Sequence, residues 1–250
     1  MFQKTQKLSP NDGNVFYALG SVYNAQGNYS DAVTALQQSI QLKPNFPSAN
    51  YQLGVAYNGL GYTDGVQEQQ KILNGTDSNL AKQLSDITNP KITGIDNSNI
   101  GNTFNTVFGP NTSLLIIDPS FIKPNSTKVV STVIKFDSNM DASSVTNASN
   151  WTISKGNNPQ SGFYNNTMPS SSKDAAIPSA PISVAYNSVT KEATVSFRLK
   201  QNSTGDAVID PNHLVFTFKG KDSAGQNIDP NANSIDGNAT AAFGSVNTFA

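Results

Sequence analysis

The sequence predicts two structural regimes in one chain: a short α-helical solenoid over residues 1–88 and an antiparallel β-sandwich over residues 113–250, joined by a linker at 89–112. Three observations carry this multidomain α plus all-β class. Leu19-Gly20, Tyr23 and Gly27 recur 34 residues later as Leu53-Gly54, Tyr57 and Gly61, a period that marks stacked helix pairs. From Ser113 onward the apolar residues alternate with a period of two and gather in short β-branched and aromatic runs. Between Asn89 and Asn111 the chain is rich in Asn, Gly and Thr with only scattered apolar residues, which reads as a linker.

Composition narrows the function. Sixteen Lys plus Arg against 17 Asp plus Glu give a net charge of -1, which offers no electrostatic attraction to nucleic acid or to an anionic membrane. Charged residues make up only 13%, and about one residue in eight is Asn. A surface built from Asn, Ser, Thr and Gln is associated with exported bacterial surface proteins, so an extracellular or cell-surface location is expected, with no export signal visible in this chain. No run approaches the ~18 apolar residues of a membrane span. With no Cys, disulfides and thiolate chemistry are excluded.

In chain order, Phe2 and Pro10 stand 34 residues before Leu36 and Pro44, so Met1–Pro10 reads as the second helix of a partial first repeat. In the complete repeat, Phe16, Leu19, Gly20 and Tyr23 share one helical face, Gly27-Asn28 is the turn, and Ser30 is the expected cap of a second helix lined by Ala32, Leu36 and Ile40. The next repeat keeps its first helix but has Gln70 where Leu36 stood, as at the end of an array. Ser78–Ile87, capped by Ser78, is expected to form a covering helix.

These residues resemble the tetratricopeptide repeat family over about Met1–Leu80: Leu-Gly and Tyr in the first helix, Gly before the second, Ala within it and a closing Pro. The resemblance implies a groove for a protein or extended peptide segment, at Asn14, Tyr17, Ser21 and Asn24 of one repeat and Ser48, Tyr51, Val55 and Asn58 of the next. None is cationic, so a clamp for a peptide carboxylate is not expected and a neutral segment is. The alternative for Tyr17 and Tyr51 is plain packing between repeats.

Strands are expected at 113–118, 128–136, 151–154, 182–186, 193–199 and 213–220, with a hairpin turn at 187–192 and a mobile surface loop at 156–178. Within Lys135–Gly156, the strand ends in Phe136, Met140 plugs the core, Asp141 caps a turn before Val145, and Trp151 opens the next strand. This grammar resembles bacterial Ig-like domains of S-layer and other surface proteins, which implies a structural or adhesive module with no activity of its own.

Catalytic chemistry is not legible. The single His213 has no second His and no Cys to work with, and reads as a strand-edge residue. Asp229, Asn231, Asn233 and Asp236 place oxygens at alternate positions as calcium loops do, so calcium is the one cofactor left open. Asp137, Asn139 and Asp141 repeat the pattern less completely. The expected function is a non-enzymatic surface protein that mediates protein–protein interaction or self-assembly, with copies of itself as candidate partners. The half-repeat and the strand-like tail Ala241–Ala250 could each be completed by a neighbour, giving a filament or surface-layer subunit. The alternative is a non-catalytic binding or targeting region of a larger extracellular enzyme. A carbohydrate-binding sandwich is disfavoured because the only Trp sits at a core position.

Overall fold

The computed structural model describes residues 11–168, 171–239 and 241–244, and the chain divides into two compact units, Met1–Asn89 and Pro90–Ala250. The half-repeat read at Met1–Pro10 lies outside the described residues.

The first unit holds α1 (Gly13–Ala25), α2 (Tyr29–Leu42), α3 (Pro47–Gly59), α4 (Thr63–Thr76) and α5 (Ser78–Thr88). The two turns between paired helices are near copies. Gly27 and Gly61 take left-handed φ of 73° and 72°, which L side chains rarely adopt, and their N–H groups donate to Asn24 and Asn58 carbonyls at 3.0 Å in both repeats. The expected Ser30 cap is corrected to Asn28, which precedes the helix without a side-chain capping bond. The expected Ser78 cap moves to Asp77, whose Oδ1 accepts from the N–H groups of Asn79 and Leu80 at 3.1 Å.

Ala32, Leu36, Ala49, Leu53 and Ala56 form the first apolar cluster. A Cβ on Gly20 would lie 2.5 Å from Cγ of Leu36, so glycine is what lets α1 and α2 close on each other. In the second repeat the corresponding Gly54 meets Leu84 of α5, whose Cδ2 would lie 2.6 Å from a Cβ at that position. Leu84 thus supplies the apolar contact that Gln70, at the Leu36 position, cannot make; Gln70 instead donates from Nε2 to the Ala81 carbonyl at 2.8 Å. Helix α5 is therefore integral to the second repeat.

The second unit runs β1 (Ile92–Ile95), β2 (Thr112–Ser113), α6 (Leu114–Ile117), β3 (Thr127–Phe136), α7 (Ala142–Thr146), β4 (Trp151–Lys155), β5 (Asn157–Asn158), β6 (Gly162–Phe163), β7 (Ser183–Asn187), β8 (Glu192–Lys200), β9 (Val208–Ile209), β10 (Leu214–Phe218) and β11 (Ser234–Ile235). A four-stranded sheet has the order β1-β3-β8-β7 and a three-stranded sheet β11-β10-β4; these and two short pairs, β2-β9 and β5-β6, are antiparallel. Strand β8 buries Ala193, Val195, Phe197 and Leu199 in strict alternation, as a strand with one core face must. Aromatic rings from both larger sheets meet in the core: Phe197 of β8 lies 5.7 Å from Phe216 of β10, and Phe136 of β3 lies 5.5 Å from Phe218.

The local grammar around Phe136 is seen as expected. Met140 and Val145 are buried, the Asp141 carboxylate accepts from the Ser144 N–H at 2.7 Å to cap α7, and buried Trp151 donates from Nε1 to the Val145 carbonyl at 2.8 Å. Its bonds to Ser143 and Ser144 hold the Asp141 carboxyl below its ordinary value.

Three expectations are corrected. Residues 113–118 form no long strand: after two paired residues Ser113 caps the short helix α6, which buries Leu114 and leaves Leu115 and Ile116 exposed. Residues 89–112 do more than link, since β1 pairs with β3 and Phe104 is fully buried with its ring 5.0 Å from Phe197. Ile92 and Phe104 fill core positions while Ile100, Val107 and Phe108 stay exposed, a pattern with no period to read. Of the supposed surface loop 156–178, residues 157–163 form the β5-β6 pair, and Tyr164 and Ala175 are buried in the core.

Candidate functional site

The row expected along α1 is continuous but unequal. Asn14 is exposed and its Oδ1 accepts from Nζ of Lys43 at 3.2 Å. Tyr17 packs at a tilt against Phe46, with ring centroids 4.9 Å apart, and Lys43 Nζ lies over the Phe46 ring at 3.9 Å from its centroid. Ser21 is half-buried and donates to the Tyr17 carbonyl at 2.9 Å. Asn24 bridges the repeats: its Nδ2 donates to both the backbone carbonyl and the Oε1 of Gln52 at 2.8 Å, and its Oδ1 has no hydrogen-bond partner.

In the next repeat, Tyr51 and Val55 pack against Leu73, Ala81 and Leu84, so α5 covers that part of the row. Ser48 is half-buried and Asn58 exposed. The packing alternative thus describes Tyr17 and Tyr51 well: each is a half-buried ring between helices. What α1 presents is a short polar row of Asn14 and Ser21 beside Tyr17, continued by Asn24, whose Oδ1 is buried and whose Nδ2 is held by Gln52. The cation at its end, Lys43, was missed because it lies at the α2 cap, outside the face that the repeat resemblance marks.

A separate cavity of about 330 Å³ is lined by Phe16, Leu19, Tyr23, Asp31, Thr34, Ala35 and Gln38. It opens on a different face of α1, between α1 and α2.

The calcium candidates serve their own turns. Asp229 Oδ1 accepts from the Asn231 N–H at 2.8 Å, and its Oδ2 lies 3.8 Å from Lys91 Nζ. Asn233 Oδ1 accepts from the Ser234 hydroxyl at 3.2 Å. Asp236 Oδ1 accepts from the N–H groups of Asn238 and Ala239, at 3.0 and 2.6 Å, and burial pushes its carboxyl above the ordinary range. The two-residue strand β11 (Ser234–Ile235) runs between Asn233 and Asp236. Among the described residues no group of three or more His, Cys, Asp or Glu side chains is placed to hold a metal ion. His213 lies in a short turn before β10, with Nδ1 2.8 Å from Asp210 Oδ2.

Of the tail proposed for completion by a neighbour, residues 245–250 lie outside the described residues. Phe243 exchanges both backbone hydrogen bonds with Ser234 at 2.9 Å, so this part of the tail is paired within its own chain.

A family model for the TPR repeat matches residues 20–61, which span the second half of α1, all of α2 and α3, and the turn after it. A TPR repeat suggests protein–protein interaction. No curated protein matches the chain. No helix among the described residues is long and apolar enough to cross a membrane.

Proposed function

We propose that the helical unit holds an extended, uncharged segment of a partner protein along α1, and that the chain does so at a bacterial cell surface without catalysis of its own. In this reading the strand-rich unit is an Ig-like sandwich that serves as spacer or docking module. The observation that carries it is the row Asn14, Ser21 and Asn24 beside Tyr17: polar, uncharged, and, among the described residues, without the helix that packs over Tyr51 and Val55 in the second repeat. Amide and hydroxyl groups suit the backbone of an extended segment, whose N–H and C=O groups need hydrogen-bond partners. Lys43 is one point charge bonded to Asn14, too little for the multidentate capture of a carboxylate terminus.

A displayed library of random segments, panned on the full chain, tests this. Segments enriched by the wild type are expected to be neutral, and Ser21→Arg is expected to weaken their binding about tenfold or more by placing an unpaired charge in the row. Its melting temperature should stay close to wild type, because Ser21 bonds only within its own helix. Enrichment of free carboxylate termini that depends on Lys43 would replace this reading with a terminus-binding one.

A further inference from the structure

A second polar cluster lies in the strand-rich unit, where the loop after β6 meets the turn before β10. Asp210 is 0% exposed; its Oδ2 accepts from the Asn165 N–H and from His213 Nδ1, both at 2.8 Å, while its Oδ1 is buried with no hydrogen-bond partner. The Asp210 N–H donates to the Tyr164 hydroxyl at 3.2 Å. Asp236, 2% exposed, likewise keeps a buried Oδ2 with no partner, and it is close enough to repel Asp210 and attract His213.

The loop held by these bonds is conformationally costly. Asn165, Asn166 and Thr167 are three successive non-glycine residues at left-handed φ of 51°, 54° and 63°, a backbone that persists only where its surroundings fix it. Gly162, at φ 63°, lies against the His213 ring so closely that a Cβ there would be 2.3 Å from Cδ2. The loop is thus clasped at two points by the Asp210–His213 pair. It also carries the exposed side chains of Phe163 and Met168 at its two ends.

We propose that His213 is a proton-operated clamp on the loop Gly162–Thr167, closed when the imidazole is protonated and loosened when it is neutral. Protonated, it places a cation against the buried Asp210 carboxylate, and its bond to Asp210 becomes a charge-assisted one. Neutral, it still donates from Nδ1, but the Asp210 carboxylate, with its buried Oδ1, then has no internal cation beside it, the costly arrangement for buried charge. Lys155 does not substitute: its Nζ lies 4.0 Å from Asp174 and over the Tyr164 ring at 4.3 Å. Burial pushes the Tyr164 hydroxyl up to about 12, so it stays neutral throughout.

The sign follows from which state holds the proton. Histidine is the side chain that changes charge between about pH 5 and 8, and the clamp needs its charged form, so it is present on the acid side and lost as pH rises. Asp236 acts in the same direction. Its carboxyl is raised by burial, so the folded state keeps that proton where the unfolded chain has released it, and this contribution too fades with rising pH. Asp96, held down to about 2 chiefly by its bond with Lys135, acts oppositely, but only at pH values below the ordinary carboxylate range. The clamp does not depend on the groove reading.

The chain contains one histidine, so its ring resonance can be titrated without ambiguity alongside the hydrogen exchange of the Asn165 amide. The protection of Asn165, corrected for intrinsic exchange, is expected to fall about fivefold with the same midpoint as the ring, the difference between a charge-assisted and a neutral bond. Val195, in the middle of β8, should not follow it. His213→Gln should flatten the dependence. Constant Asn165 protection across the ring titration, or an unchanged fall in His213→Gln, would overturn the proposal; if that variant does not fold, the two wild-type midpoints decide.

Discussion

Leu84→Ala is expected to cost the helical unit about 2–5 kcal/mol, the range for truncating a fully buried leucine whose site cannot collapse. The reason is specific to this array. Leu84 fills the space that Gly54 opens, where the first repeat uses Leu36 against Gly20. The polar Gln70 cannot take over, because its side chain is already turned to the Ala81 carbonyl. Adding Gln70→Leu to Leu84→Ala should therefore recover part of the loss, a coupling that two independent sites would not show. The measurement is chemical denaturation followed by far-UV circular dichroism of the helical transition, read separately from the strand-rich unit, since two units need not unfold together. A loss below about 1 kcal/mol would mean that α5 is an appendage and not part of the repeat.

Trp151→Ala should have a comparable effect on the other unit, about 3–5 kcal/mol. Its ring lies 4.7 Å from Phe218 and 6.4 Å from Phe136, and its Nε1 satisfies the Val145 carbonyl at the end of α7. Two contributions are separable. Trp151→Phe keeps an aromatic ring but leaves that carbonyl without its donor, and should cost about 1–3 kcal/mol. Because the variant removes the chain's only tryptophan, methyl resonances of Val145 and Ile153 are the suitable probes. Equal losses for the two variants would assign the whole effect to the hydrogen bond.

What could be read from the sequence was whatever the backbone forces. Gly27 and Gly61 announce the repeat because a left-handed turn residue is needed at the same point of each unit. Phe136, Met140, Asp141 and Trp151 are legible because a strand end, a plug, a cap and a strand start follow one another locally. What was not legible depends on chain return. Leu84 reaches Gly54 only when α5 folds back, and no register in the repeat points to it. Phe104 and Ile92 sit among Asn, Gly and Thr, so their burial has no periodic signal. The alternate oxygens of Asp229 to Asp236 are also legible as turn caps, since the Asp229 and Asp236 carboxylates accept from backbone N–H groups two or three residues further on.

The groove shows the same division. The family resemblance marks positions on the first helix of each repeat, but not that α5 covers Tyr51 and Val55 or that Lys43 swings onto Asn14 and Phe46. The Asp210–His213 pair had a faint signal in its spacing of three residues across Pro211. Its third member, Asn165, lies 45 residues away in sequence, beyond any local pattern.

The most direct test of the central claim is the affinity of the full chain for a selected neutral segment, measured for wild type and Ser21→Arg across a range of salt concentrations. Binding through an uncharged row predicts a wild-type affinity that is nearly independent of salt and a loss of about tenfold or more in the variant. A steep salt dependence with no effect of Ser21→Arg would contradict it, and would move the binding surface away from α1.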